Sequence, residues 1–233
     1  DAVKLDEVVS TARLIVPQLG APGVAAHEVK KRTGFRVVYG PVSARDIPAF
    51  LESDMKATSE MRRIAFPLRE RLAVVPVELV GAAQYVLLAM VALLLLSGLG
   101  SDGYRWPRVI HEGLLSAGLF LGTFVTATVI GPALLPWLPG RALSVKGAWL
   151  GMLVAVAVGL WSFWHPGLAP GWLDVAAWAL LIPTTASFAL MNFTGSTTYT
   201  SLSGVKREMR LAVPIQAAAA VTGILCWLVG RFF

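Results

Sequence analysis

Polar side chains interrupt otherwise apolar stretches of this sequence, and they are the first candidates for chemistry. A charged or amide group inside a membrane segment is costly, so it commonly marks a proton relay, an ion path or a substrate site. The candidates are Glu78, Gln84, His111, Glu112, Asp174 and Gln216. The three carboxylates lie near the starts of apolar segments, where they reach headgroup water and the positive end of a helix. That position favours a solvated helix start, and a functional site is the alternative.

Two further features bear on metal or acid–base chemistry. The single cysteine, Cys226, cannot form an internal disulfide or a cysteine-rich metal site by itself. Its apolar neighbours favour a small buried hydrophobic side chain, and a thiol that handles a soft metal is the alternative. His111 and Glu112 are adjacent, so on a helix their side chains point about 100° apart and do not form one site by themselves.

The composition indicates the class of protein to which these residues belong. Of the 233 residues, 56% are hydrophobic and 15% are charged, which excludes an ordinary soluble enzyme and a disordered chain. The first 72 residues hold 21 of the 34 charged side chains, so a boundary falls near 67–75. Basic residues are interleaved with acids or flank apolar runs, a pattern that does not indicate nucleic-acid binding.

Five segments are apolar enough to cross a bilayer, which takes about 20 residues each. They run near 76–98, 108–131, 145–164, 172–191 and 211–230. Their short flanks carry nine Lys and Arg on one side and three on the other. This bias predicts a multi-pass protein of the cytoplasmic membrane, with its N-terminal part in the cytoplasm and its C-terminus outside. In the third segment, Gly147, Gly151, Ala155 and Gly159 recur every four residues and predict close approach of another helix.

The polar N-terminal part has the pattern of a parallel α/β unit. Strands are predicted over 13–19 and 35–40, and helices over 24–33 and 47–54. Two strands alone do not make a stable sheet, so we expect them to complete a larger domain. We divide the chain into this part over 1–54, a linker over 55–75 and a membrane domain over 76–233.

Ligands of parallel α/β sheets bind at the carboxyl ends of the strands. Gly- and Pro-rich turns follow both predicted strands, and they let the backbone approach a ligand closely. The candidate binding residues are Pro17, Gln18, Leu19, Gly20, Ala21, Pro22, Gly23, Tyr39, Gly40, Pro41 and Val42. Two ordinary turns of an α/β fold are the alternative that this pattern alone leaves open.

Parts of the sequence resemble a known family. The stretch LIVPQLGAPGVAAHEVKKRTGFRVVYGPVSARDIPAFL (14–51) resembles the end of the corrinoid-binding domain in the large subunit of the corrinoid iron–sulfur protein. The stretches MKATSEMRRIAFPLRERLAVVPVEL (55–79) and NFTGSTTYTSLSGVKREMR (192–210) look like the mercury-methylating corrinoid proteins of anaerobic microbes. The resemblance covers nearly the whole chain, and its specific part is 14–79.

The resemblance implies an α-helical membrane protein with five transmembrane helices, preceded by the C-terminal βαβα part of a Rossmann-like α/β domain that binds cobalamin. It also implies a ferredoxin-like iron–sulfur partner that reduces the cobalt. A Hg(II)-thiolate substrate receives the methyl group and gives methylmercury. The cofactor carries this chemistry, and the protein controls access and the axial ligand. The two turns would then line the corrinoid pocket.

One motif of that family is missing. Its cap helix carries Asn-Val/Ile-Trp-Cys-Ala, whose cysteine ligates cobalt, whereas the only cysteine here is Cys226 in the last apolar segment. The cobalt-ligand role is therefore assigned to no residue, and we expect an N-terminally truncated chain that is inactive alone. The alternatives are a small transporter or channel subunit and a membrane anchor for a redox partner.

Overall fold

The computed structural model describes residue 9 and residues 11–63, 66–165, 171–193 and 202–233. The chain forms two compact units, Asp1–Ala65 and Phe66–Phe233, and helices make up most of it. The division falls within the predicted linker over 55–75. Residues 194–201, which belong to the third stretch of the resemblance, lie outside the described residues.

The N-terminal unit contains two strands and two helices in alternation. They are β1 (Arg13–Val16), α1 (Ala26–Thr33), β2 (Arg36–Tyr39) and α2 (Ile47–Glu52). The strands pair in parallel, from Arg13 opposite Arg36 to Val16 opposite Tyr39. The predicted strand–helix–strand–helix order is confirmed. The sheet of the described residues has two strands, so the Rossmann-like part of the predicted fold stays a prediction.

Local sequence explains the ends of these helices. Gly34 follows α1 with a φ of 74°, a left-handed conformation that suits glycine and ends the helix. Glu28 and Arg32 form the expected pair within α1, at 3.1 Å between Oε2 and Nε. Pro48 lies in the first turn of α2, where its missing N–H costs little. Phe50 of α2 is fully buried and provides the core of this unit.

The C-terminal unit is a bundle of five long helices. They are α3 (Leu68–Ser97), α4 (Trp106–Leu134), α5 (Leu143–Trp164), α6 (Trp172–Asn192) and α7 (Leu202–Val229). Each is long and apolar enough to cross a membrane, which confirms the five predicted spans. Helix α6 packs between α5 and α7, and α4 contacts both α3 and α6.

Two helices begin earlier than the sequence analysis predicts. Helix α3 begins at Leu68 rather than at 76, and α7 begins at Leu202 rather than at 211. The apolar run measures only the part of a helix that suits hydrocarbon, whereas good helix formers such as Arg, Glu and Lys extend the helix into polar surroundings. Residues 68–75 of the predicted linker are therefore helical. Glu78 lies well inside α3, not near its start.

Helix α4 is irregular in a way that the sequence analysis did not predict. It contains two π-helical segments, Val109–Gly113 and Thr126–Ile130. Such wide turns shift the residues that follow around the helix axis. A regular α-helical period therefore does not predict which residues of α4 face its neighbours.

The four-residue series of small residues in α5 packs against α6 over part of the series. A Cβ added to Gly147 would lie 2.4 Å from the Ala186 carbonyl oxygen, and one added to Gly151 would lie 2.5 Å from Pro183 Cα. A Cβ added to Gly159 would meet nothing within 4 Å. The predicted close approach is therefore confirmed at Gly147 and Gly151 and does not extend to Gly159.

Candidate functional site

The carboxyl ends of β1 and β2 lie side by side, and the two predicted turns meet there. The Gly40 backbone N–H donates to the Val16 carbonyl oxygen at 2.9 Å, which continues the parallel ladder past the strands. The Tyr39 hydroxyl donates to the Val24 carbonyl oxygen, also at 2.9 Å. The structure thus brings Pro17–Gly23 and Tyr39–Val42 together, and we call these residues the carboxyl edge.

The carboxyl edge has an open side and a packed side. Residues Gln18–Gly23 form a 3-10 turn, in which Leu19 is 49% exposed, and Tyr39 at the end of β2 is 39% exposed. A Cβ added to Gly23 would meet nothing within 4 Å, whereas one added to Gly40 would lie 2.8 Å from Ile15 Cγ2. Gly40 and Pro41 are buried. Gly40 therefore serves the packing of the unit, and the turn after β1 offers the open surface.

The residue types at this edge suit binding better than catalysis. Its residues include no charged side chain. They offer backbone groups, the amide of Gln18, and the apolar faces of Leu19 and Tyr39. Such a surface can hold a large ligand by shape and hydrogen bonds, while the acid, base or nucleophile of a reaction has to come from elsewhere.

In the helical unit, Arg231 joins two of the carboxylates that the sequence singled out. Its Nη1 contacts Glu112 Oε2 of α4, and its Nη2 lies 3.1 Å from Asp174 Oδ1 of α6. The Arg231 side chain is 7% exposed, and its guanidinium carbon lies 4.8 Å from the centre of the Trp227 ring. We call Arg231, Glu112 and Asp174 the arginine clamp.

The arginine clamp adds a contact between helices to the predicted helix-start positions of Glu112 and Asp174: Asp174 lies in the first turn of α6, and the Glu112 side chain is 45% exposed. Arg231 lies two residues beyond the end of α7, so its two ion pairs tie this end to α4 and α6. Trp227 supports the same junction, because it is buried and its Nε1 donates to Ser116 Oγ of α4 at 3.3 Å. Two carboxylates around one buried cation serve to hold three helices together.

A second charged group lies in the connection between α3 and α4. Asp102 pairs with Arg105 at 2.8 Å and also contacts the Arg108 guanidinium. The hydrogen bond from Arg108 holds the pKa of Asp102 below its ordinary value. Asp102 therefore stays ionised and keeps both arginines turned toward this connection.

Charged side chains also cap helix ends on the side of the bundle where Lys and Arg predominate. Arg71 of α3 is buried and donates to the carbonyl oxygens of Pro132 and Ala133, at 2.8 and 2.9 Å, where α4 ends. Glu208 Oε1 of α7 accepts from the Ser144 backbone N–H, at 2.6 Å, where α5 begins. A cation at a carboxyl end and an anion at an amino end both oppose the charge of the helix dipole.

We expect Arg71→Met to lower the free energy of unfolding of the helical unit by about 2 kcal/mol, because two buried carbonyl oxygens lose a charged donor. Thermal unfolding in detergent measures this loss. Arg69→Met is the matched control, since Arg69 is exposed in the same turn of α3. Equal losses for the two variants would contradict a specific role for Arg71.

A chain of hydrogen bonds continues from this end into the bundle. The amide nitrogen of Gln216 donates to Ser187 Oγ at 2.8 Å, and Ser187 Oγ donates to the Ser144 carbonyl oxygen at 2.8 Å. These bonds link α7, α6 and α5. Within the described part of the chain, the buried oxygens Gln216 Oε1 and Thr128 Oγ1 have no hydrogen-bond partner. Gln216 is thus placed in a polar interior, as its intramembrane position suggested.

The remaining candidates are not brought together. Gln84 and His111 are exposed on their helices, and Cys226 is half-buried in α7. Over the described ranges, no three His, Cys, Asp or Glu side chains gather where they could hold a metal ion. Arg71 and Glu208 are structural groups that the sequence does not single out: Arg71 counts there only toward the orientation of the chain, and Glu208 lies outside the predicted apolar span. Extending the helical period beyond the apolar runs would have placed them on α3 and α7.

Comparisons with protein-family models, with curated proteins and with solved structures found no match to this chain. The proposed function therefore rests on the residues and geometry of this chain. The paired charges of the bundle join helices to one another, and the carboxyl edge is the candidate ligand-binding surface.

Proposed function

We propose that this chain is the C-terminal, membrane-anchored part of a corrinoid protein that transfers a methyl group from methylcobalamin to Hg(II) and forms methylmercury. The observation that carries the proposal is the carboxyl edge. Two turns that meet at the ends of parallel strands belong to the stretch 14–51, which resembles the end of a corrinoid-binding domain. In sheets of this class, that edge is where ligands bind.

The chemistry of the carboxyl edge suits a corrinoid. Cobalamin is a large flat macrocycle bordered by amide groups, so it needs open backbone, apolar faces and hydrogen-bonding partners rather than charges. The open turn at Gly23, the exposed faces of Leu19 and Tyr39 and the amide of Gln18 are of these kinds. These residues would flank the corrinoid and keep water from one side of it. When bound, the cofactor would supply the methyl group, together with its bonding electron pair, that Hg(II) accepts.

No residue of this chain is proposed as the cobalt ligand. The family that the chain resembles takes that ligand from a Trp-Cys-Ala motif, and this sequence does not contain one. Cys226 belongs to α7 in the helical unit. The chain alone is therefore proposed to be inactive, and activity is proposed for the protein that also carries the cap helix.

The helical unit is proposed to act as the anchor. The nine-to-three distribution of Lys and Arg favours a cytoplasmic N-terminal unit, where a ferredoxin-like iron–sulfur partner and Hg(II)-thiolates would reach it. Arg231, Arg71 and Glu208 are engaged in bonds between helices. Charges used in this way suit a rigid anchor better than an ion path, which requires charged groups that exchange partners.

The test is cobalamin retention by the protein that includes the cap helix, measured as corrinoid absorbance that elutes with the protein on gel filtration. We expect Gly23→Trp to weaken retention about tenfold or more, because the large side chain fills the open side of the edge. Lys31→Trp is the control, since Lys31 is exposed on α1.

Two results would contradict the proposal. One is a wild-type protein that never retains cobalamin. The other is a folded Gly23→Trp variant that retains it as well as the Lys31→Trp variant does.

A further inference from the structure

A basic pocket lies where α4 connects to α5. It has a volume of about 280 Å³ and is lined by Leu135, Gly140, Arg141, Leu143 and Lys146. The backbone makes room for it at Gly140, whose φ of 100° is the left-handed conformation that glycine adopts readily. The pocket therefore belongs to the connection itself, outside the carboxyl edge and the arginine clamp.

The charge of this pocket is positive. Two of its lining residues, Arg141 and Lys146, are cations, and the sequence has no Asp or Glu between Glu112 and Asp174. Lys146 Nζ donates to the Leu135 carbonyl oxygen, which uses one of its three hydrogens and holds the ammonium at the pocket. Glu208 approaches α5 from α7, but its carboxylate accepts from the Ser144 backbone N–H, and Glu208 does not line the pocket.

Part of the pocket lining is apolar. Leu135 and Leu143 are each 2% exposed and form its floor between the ends of two membrane-spanning helices. Trp137, in the same connection, is 75% exposed, as expected of a side chain that lies at the headgroup level of a bilayer. The connection also lies on the side where nine Lys and Arg gather, a bias that favours the side facing the anionic cytoplasmic leaflet.

We infer that this pocket binds the phosphate group of an anionic phospholipid. Arg141 and Lys146 receive the phosphate, and the leucine floor meets the glycerol end of the acyl chains. A site of this kind needs two cations at the end of spanning helices and apolar surface directly behind them, and the connection provides both. The inference concerns the helical unit and does not depend on methyl transfer.

The experiment measures how strongly spin-labelled phosphatidylglycerol is immobilised by the 233-residue chain in phosphatidylcholine nanodiscs. We expect Arg141→Gln to weaken the preference for phosphatidylglycerol about fivefold, and the double variant R141Q/K146Q to weaken it further. The matched control is K206Q/R207Q, which removes the same charge from exposed positions of α7. Arg141 is exposed, so the single variant tests the site without disturbing the packing.

Three results would overturn the inference. An unchanged preference in R141Q would exclude Arg141 as a ligand. An equal loss in K206Q/R207Q would show attraction by the whole surface rather than by this pocket. Displacement of the labelled lipid by millimolar inorganic phosphate would show a site for free phosphate.

Discussion

Replacing Arg231 with methionine is expected to lower the free energy of unfolding of the helical unit by about 3 kcal/mol. The substitution removes the only partner that the arginine clamp gives to Asp174, whose side chain is 22% exposed, and to Glu112, which is 45% exposed. Removing one member of a buried ion pair leaves charge that is neither paired nor fully hydrated. Thermal unfolding in detergent should show a decrease of roughly 10 °C in Tm for a unit of this size.

Two further variants separate this effect from a general loss of charge. Arg105→Met removes an arginine whose side chain is 58% exposed and paired with Asp102, so a change below about 1 kcal/mol is expected. The triple variant R231M/E112Q/D174N removes the charges together and is expected to regain most of the lost stability. The clamp would be contradicted if R231M matched R105M, or if the triple variant were no more stable than R231M.

The second large effect is expected at Gly151. A leucine there would place its Cβ 2.5 Å from Pro183 Cα and 2.9 Å from the Ile182 carbonyl oxygen, both of which are backbone atoms of α6. The backbone cannot move aside without separating α5 from α6, so Gly151→Leu is expected to destabilise the unit by about 3 kcal/mol or more. The measurement is the yield of monodisperse protein in detergent together with its Tm.

Gly159 provides the control within the same helix. It occurs in the same four-residue series, but a Cβ added there would meet nothing within 4 Å. Gly159→Leu is therefore expected to be neutral or slightly stabilising, since leucine favours helix over glycine. Equal damage at the two positions would mean that α5 does not pack on α6 as described.

The sequence predicts the parts of this fold that depend on local pattern. Five apolar runs and the alternation of two strands with two helices follow from hydrophobicity and turn residues, and the structure has both. The helix starts at Leu68 and Leu202 cannot be predicted from the apolar runs, because many of the residues that extend these two helices are charged. The π-helical segments of α4 depend on how that helix packs, so no short-range pattern indicates them.

The candidate sites also divide into one that local sequence pattern predicts and one that depends on tertiary packing. The carboxyl edge was predictable, because parallel strands bring the turns after them to one edge. The arginine clamp was not, since Arg231 is 57 positions from Asp174 and meets it only when α6 and α7 pack together. Its two carboxylates stand out in the sequence as costly intramembrane charges, whereas Arg231 stands out only as a basic residue at the end of an apolar run.

Single-turnover methylmercury formation tests the proposed methyl transfer to mercury. The protein that carries the cap helix would be loaded with methylcobalamin, mixed with Hg(II)-cysteine in the dark, and sampled for methylmercury and for loss of the methyl–cobalt absorbance. We expect the two to change together, one methylmercury for each methyl group lost, and the 233-residue chain alone to give none above the protein-free rate. Methylmercury formation by the 233-residue chain alone would contradict this expectation, as would a cobalamin-loaded protein that transfers no methyl group.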